Sequence, residues 1–168
     1  MSAVVQFYSG KGTDHRGRTL KELNSLTEID MEQIHDYIQW IFPSDESSMV
    51  LQAAPVLTEK DQLAFRRDVR LRISLRKSFM IFMIFLGLEY NPTSGLLNII
   101  NKGKLYRKVM TRNHNWQRIT RVLRCLNYLG LKKEAQALFN FLSDINNITP
   151  FNPITFDFWQ KAMEAIRS

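Results

Sequence analysis

The sequence predicts an all-α protein, a single-domain bundle of about six to seven helices around one long central helix. Three observations carry this. Apolar residues recur at helical spacing in most segments that lie between turn signals, no segment shows the period-two alternation of a half-buried strand, and the stretch from Glu59 to Leu86 runs without glycine or proline. At 168 residues, 45% hydrophobic and 23% charged, the chain is long enough to bury a core unaided and reads as one domain over 1–168. Its one cysteine, Cys125, excludes an intramolecular disulfide framework.

The elements follow in chain order. Ser9-Gly10-Lys11-Gly12 is an opening loop, and Thr19 with Glu22 three residues on spells a capping box for a short first helix. Asp30 with Gln33 offers a second cap, behind which Met31, Ile34, Ile38 and Ile41 recur at helical spacing; this predicts a helix from Asp30 to Trp40, halted by Pro43. A loop through Pro55 leads to Thr58 and then to the long helix, Glu59 to Leu86, closed by Gly87 in the left-handed conformation. On its wheel Phe65, Val69, Leu71, Leu75, Phe79, Phe82, Met83 and Leu86 share an apolar arc, opposite a stripe holding Arg66, Arg70 and Lys77. Asp68, Arg72 and Arg76 fall inside the apolar arc and need polar partners wherever they are buried. The run Phe79 to Leu86 is far shorter than the roughly 20 apolar residues of a membrane span, which predicts a core helix with Phe79 and Met83 buried.

The second half is less even. Leu96 to Met110 is weakly periodic and predicts a short helix with Gly103 as a break. Asn115 caps a helix from Trp116 to Leu129 that ends at Gly130, with Trp116, Ile119, Val122, Leu123, Leu126 and Leu129 facing inward and Arg118 on the same side. Two helices complete the chain, Lys132 to Asp144 and Ile154 to Ile166, with Ala135, Leu138, Leu142 and then Trp159, Ala162, Met163, Ile166 as inner faces.

Two stretches carry a family likeness: His35-Asp36-Tyr37-Ile38-Gln39-Trp40-Ile41-Phe42-Pro43, and His114-Asn115-Trp116-Gln117-Arg118-Ile119-Thr120-Arg121-Val122-Leu123. They resemble the signature segments of the opioid growth factor receptor conserved N-terminal domain, whose patterns are similar to His-x-Tyr-Ile-Gln-Trp-x-Phe-Pro and His-Asn-x-x-Arg-Ile-Thr-Arg-x-Leu. With Phe7-Tyr8 and Phe158-Trp159, the likeness extends over about residues 7–167. The resemblance implies a helical, non-enzymatic domain, whose vertebrate namesake is described as a nucleus-associated receptor for an enkephalin peptide. It names a family and not a ligand.

The polar residues of the two segments, His35, Gln39, Trp40, His114, Asn115, Arg118 and Arg121, are the candidate ligand-binding set, since helix starts offer free N–H groups and arginine clamps carboxylates or phosphates. A structural reading stands beside it: Trp40 and Arg118 as core residues, Asn115 as a cap, and Arg118 paired to Asp68 or Asp36. On that reading Gln39 and Arg121, which lean to the outer side of their wheels, are the better contacts for a partner.

Net charge is +7, and no acidic residue occurs from Tyr90 to Lys133. Arg66, Arg70, Lys77, Lys104, Arg107, Lys108 and Arg112 therefore form a candidate anion-binding surface. Against enzymatic chemistry, His15, His35 and His114 are scattered without metal-ligand spacing, Cys125 sits on a core-facing arc, and Gly10-x-Gly12 lacks the preceding strand of a dinucleotide loop. No catalytic residue, metal or cofactor is expected. The leading expectation is a domain that binds a protein or peptide with an anionic element; the alternatives are a nucleic-acid-associated protein, on charge alone, and a cryptic enzyme. The first ten residues lack the basic start and apolar run of a secretory signal, so a cytoplasmic setting is expected.

Overall fold

The computed structural model describes residues 1–164, so the expected inward position of Ile166 lies outside the described residues. The protein is mostly helical, with one two-stranded hairpin. Two compact units divide the chain, Met1–Ile81 and the segment from Phe82 onward.

The first unit holds α1 (Ala3–Tyr8), α2 (Leu20–Leu23), α3 (Glu28–Gln33), α4 (Ile38–Ile41), α5 (Glu59–Arg67) and the start of α6 (Val69–Phe85). The Thr19–Glu22 capping box on α2 is present as expected, and Thr58 forms another with Asp61 on α5. The helix expected from Asp30 to Trp40 is instead two: Thr27, not Asp30, caps α3, and Ile34 turns extended before α4 begins. Tyr37 holds that turn, its hydroxyl donating to the Met31 carbonyl at 3.0 Å. The core is aromatic, with Phe7 edge-on to Trp40 at 5.4 Å and Tyr8 edge-on to Phe65 at 5.5 Å.

The expected single long helix is also broken. Asp68 leaves the helical conformation, φ −108° and ψ 106°, and its Oδ1 accepts the Arg70 backbone N–H at 2.9 Å, restarting the chain as α6. Arg72 reaches back so that Nη1 donates to the carbonyls of Phe65 and Arg66, both at 2.6 Å, satisfying groups that the end of α5 leaves open. The break explains why Val69, placed on the apolar arc, is exposed. Leu71, Leu75, Phe79, Phe82 and Met83 are buried as the periodicity predicts.

In the second unit α6 ends at Phe85 and the chain turns through Gly87, whose φ is +89°. A hairpin follows, β1 (Leu88–Asn91) paired antiparallel with β2 (Leu96–Ile99) in the register Leu88 to Ile99. Its turn is built by Asn91, whose Oδ1 accepts the N–H groups of Thr93 and Ser94. This corrects the all-α expectation and the helix expected over Leu96 to Met110: only α7 (Lys102–Leu105) and a π-helical turn (Tyr106–Met110) are helical there, with Gly103 inside α7. Helices α8 (Asn115–Tyr128), α9 (Lys132–Ile148) and α10 (Pro153–Glu164) then pack on one another. Gly130 (φ +92°) closes α8, and Leu131 N–H bonds back to the Leu126 carbonyl at 2.8 Å. Trp159 fills the centre of this group, edge-on to Phe151 at 4.9 Å and to Trp116 at 6.2 Å. Among the described residues no helix is long and apolar enough to cross a membrane.

Candidate functional site

The two motif segments lie in different units. In the first, α4 buries Gln39 and Trp40, while His35 is exposed. Gln39 Nε2 donates to the His35 carbonyl at 3.0 Å, but its Oε1 and the neighbouring Trp40 Nε1 are buried with no hydrogen-bond partner among the described residues. The expectation that Gln39 faces outward is therefore corrected: α4 is only one turn long, so a wheel drawn from Asp30 does not describe it. Over this turn His15 stacks on Trp40, rings 11° from parallel and 6.4 Å apart. Asp36 gathers the preceding loop, reaching His15 Nε2 at 3.4 Å, Arg16 at 3.2 Å and Arg18 at 3.1 Å, and Arg18 also bonds buried Asp14 at 2.7 Å. Burial would raise the Asp36 pKa, but the hydrogen bonds from Arg18 and Arg16 outweigh it and hold the carboxyl below its ordinary value.

In the second unit Asn115 is not the cap of α8 but its first residue: His114 holds the cap position without a side-chain cap bond, and Asn113 Oδ1 accepts the Asn115 N–H at 2.8 Å. Asn115 and Arg118 are buried, and Arg118 Nη1 donates to Asn115 Oδ1 at 3.2 Å. The carboxylates expected to pair with Arg118 are engaged elsewhere, Asp68 by Arg70 at 3.1 Å and Asp36 by the loop cations. Arg121 is half-buried, and burial lowers its pKa against the opposing influence of Cys125. Burial likewise pushes the Cys125 thiol far up, leaving it an inert core group. His114 stays exposed at the helix start.

What α8 offers to solvent is its other face. Arg112, Trp116, Gln117 and Thr120, with Ile154 and Phe158 of α10, line a depression of about 310 Å³. On its α10 side, beside Asn152 and Thr155, two apolar side chains are open to water, Ile154 69% and Phe158 56% exposed. Its α8 side is polar: Thr120 is held by the Trp116 carbonyl at 3.2 Å, whereas the Arg112 guanidinium and Gln117 amide have no partner among the described residues. Two hydrogen bonds fix the walls. Trp116 Nε1 donates to the Val109 carbonyl at 2.6 Å, and Trp159 Nε1 donates to the Trp116 carbonyl at 3.2 Å.

The opioid growth factor receptor conserved region matches residues 5–150, a span that holds both motif segments and the α8 side of this depression. The chain belongs to that family. It is 33% identical to the opioid growth factor receptor of Rattus norvegicus over 113 residues, 66% of this chain and 19% of that protein. The Homo sapiens receptor is 32% identical over 66% of this chain and 16% of its own length, and the opioid growth factor receptor-like protein 1 of Rattus norvegicus is 26% identical over 67% and 24%. The chain thus spans less than a fifth of the first of these family members. No solved structure matches it. The apolar α10 wall, Ile154 and Phe158, follows the matched region.

The cations divide unevenly. Arg66, Arg70 and Lys77 are exposed in the first unit, where Arg70 is paired with Asp68. Lys104, Arg107 and Arg112 belong to the second, and Arg107 and Arg112 are exposed. Lys108 is not on a surface: it is buried, its Nζ donating to the Phe85 carbonyl at 3.1 Å and lying 3.8 Å from the Phe85 ring centre. Gln117, Thr120, Ile154 and Phe158 were missed as site residues. Their signal in the sequence is the exposed pair Ile154 and Phe158, spaced i, i+4 opposite the Trp159 face.

Proposed function

We propose that this chain is a non-enzymatic binding domain whose depression between α8 and α10 takes a peptide carrying an apolar side chain beside a carboxylate. One observation carries the reading: an uncommitted guanidinium, Arg112, and two exposed apolar side chains, Ile154 and Phe158, meet around one depression next to the family motif. The apolar wall supplies burial and the arginine supplies orientation, the division of labour usual in peptide grooves. The charge fits, since no carboxylate occurs anywhere in the segment from Tyr90 to Lys133 that includes Arg112. Relatives named as receptors for an opioid growth factor agree with a protein or peptide ligand. No enzymatic role follows from the site, and nucleic acid draws no support from the family.

Selection from a random peptide display library on the whole chain tests this. Enriched sequences should pair Asp or Glu with a large apolar residue, and should lose at least tenfold in affinity against Ile154→Ser/Phe158→Ser. Equal binding to that variant, or enrichment of sequences without an acidic residue, contradicts the reading.

A further inference from the structure

The first unit holds a second depression, of about 450 Å³, that no motif marks. Lys21, Asn24, Ser74 and Lys77 line it together with the apolar Leu20 and Ile81. Of its lining, Tyr8, Ser9 and Ser25 already donate to the Ile41, Gln6 and Lys21 carbonyls, and the other polar side chains offer donors. Neither lysine has an ion-pair partner among the described residues, and the Ser74 hydroxyl has no hydrogen-bond partner there. Asn24 Oδ1 lies 3.1 Å from the Oγ of buried Ser78, which also donates to the Ser74 carbonyl at 3.3 Å, and the Asn24 amide has no other partner among the described residues. Among the described residues no carboxylate lines the depression.

Two ammonium groups, an amide and a hydroxyl without acceptors suit a ligand that only accepts hydrogen bonds and carries more than one negative charge. A phosphate monoester meets both conditions, and Lys binds it as a point charge without bidentate geometry. Leu20 and Ile81 then suit an apolar body on the same molecule. We infer that this depression is a binding site for a phosphorylated small molecule, with Lys21, Lys77, Asn24 and Ser74 on the phosphate and Leu20 and Ile81 on the organic part. The site is separate from the peptide depression, and either proposal stands or falls without the other.

Titration of the ¹⁵N-labelled whole chain with phenyl phosphate, and in parallel with inorganic phosphate, tests it. The expected result is saturable shifts confined to the amides of residues 8–10, 20–25 and 74–81, tighter binding of phenyl phosphate than of inorganic phosphate, and at least a tenfold loss in Lys21→Gln/Lys77→Gln. Lys133→Gln, which lies outside the depression, should bind as the wild type does. Because Lys21 and Lys77 are exposed, the double variant should keep the wild-type melting temperature. Shifts that never saturate, or a folded double variant that binds within twofold of wild type, overturn the assignment.

Discussion

Trp159 donates its indole N–H to the backbone carbonyl of Trp116 at 3.2 Å, and this bond joins the two helices that wall the α8–α10 depression. The carbonyl is shared, since Thr120 also donates to it. Trp159→Phe keeps a buried aromatic ring but removes the donor and part of the indole volume, so thermal unfolding should show a loss of about 1–3 kcal/mol. Trp159→Ala also empties the fully buried space among Phe151, Phe156 and Trp116 and should cost about 3–5 kcal/mol. Equal effects of the two variants would mean that ring packing contributes nothing beyond the bond.

Gly87 and Gly95 both have positive φ, +89° and +71°, but differ in the space around them. A Cβ at Gly87 would lie 2.4 Å from the Asn101 carbonyl oxygen, whereas at Gly95 it would meet nothing within 4 Å. Gly95→Ala should therefore cost only the left-handed backbone penalty of about 1–2 kcal/mol. Gly87→Ala should cost clearly more, because backbone must move as well. Denaturant titrations of the two variants check the order.

Phe79 and Ile73 lie on the same helix, one wholly buried and the other 53% exposed. Phe79→Ala should lose about 3–5 kcal/mol, and Ile73→Ala should stay within about 1 kcal/mol of wild type. Similar midpoints for both would contradict the assigned inner face of α6.

The amphipathic helices were legible from the sequence wherever a wheel ran uninterrupted over several turns. Helix α8 and the buried face of α6 are the clear cases, and the Thr19 and Gly130 boundaries are legible from their local chemistry. The breaks at Ile34 and Asp68 were not legible, because each is made by a contact out of sequence register: Tyr37 to the Met31 carbonyl, and Arg72 to the carbonyls of Phe65 and Arg66. The hairpin escaped for another reason. β2 alternates poorly and is mostly exposed, so its pairing with β1 rests on the Asn91 turn and not on a hydrophobic pattern. Of the candidate site, the motif was visible but its direction was not. Conspicuous polar residues such as Asn115 and Arg118 face the core, and the plain neighbours Gln117 and Thr120 face the depression.

Asp36 links pH to stability in the first unit. Its folded-state pKa is depressed by Arg18 and Arg16, so its contribution is present above the unfolded carboxylate value, about 3.9, and is lost as pH falls through the folded value. Asp36→Asn should lower the melting temperature at neutral pH and flatten its dependence on pH below about 4. A variant whose acid limb matches wild type would show that Asp36 carries no linkage.

The central claim is that the α8–α10 depression is the ligand site, and it is tested most directly by the affinity of one display-selected acidic peptide for single variants of the whole chain. Isothermal titration should give at least a tenfold weaker Kd for Phe158→Ala and for Arg112→Gln, with Lys133→Gln unchanged. Wild-type Kd values for both Phe158→Ala and Arg112→Gln, in folded protein, would contradict the account.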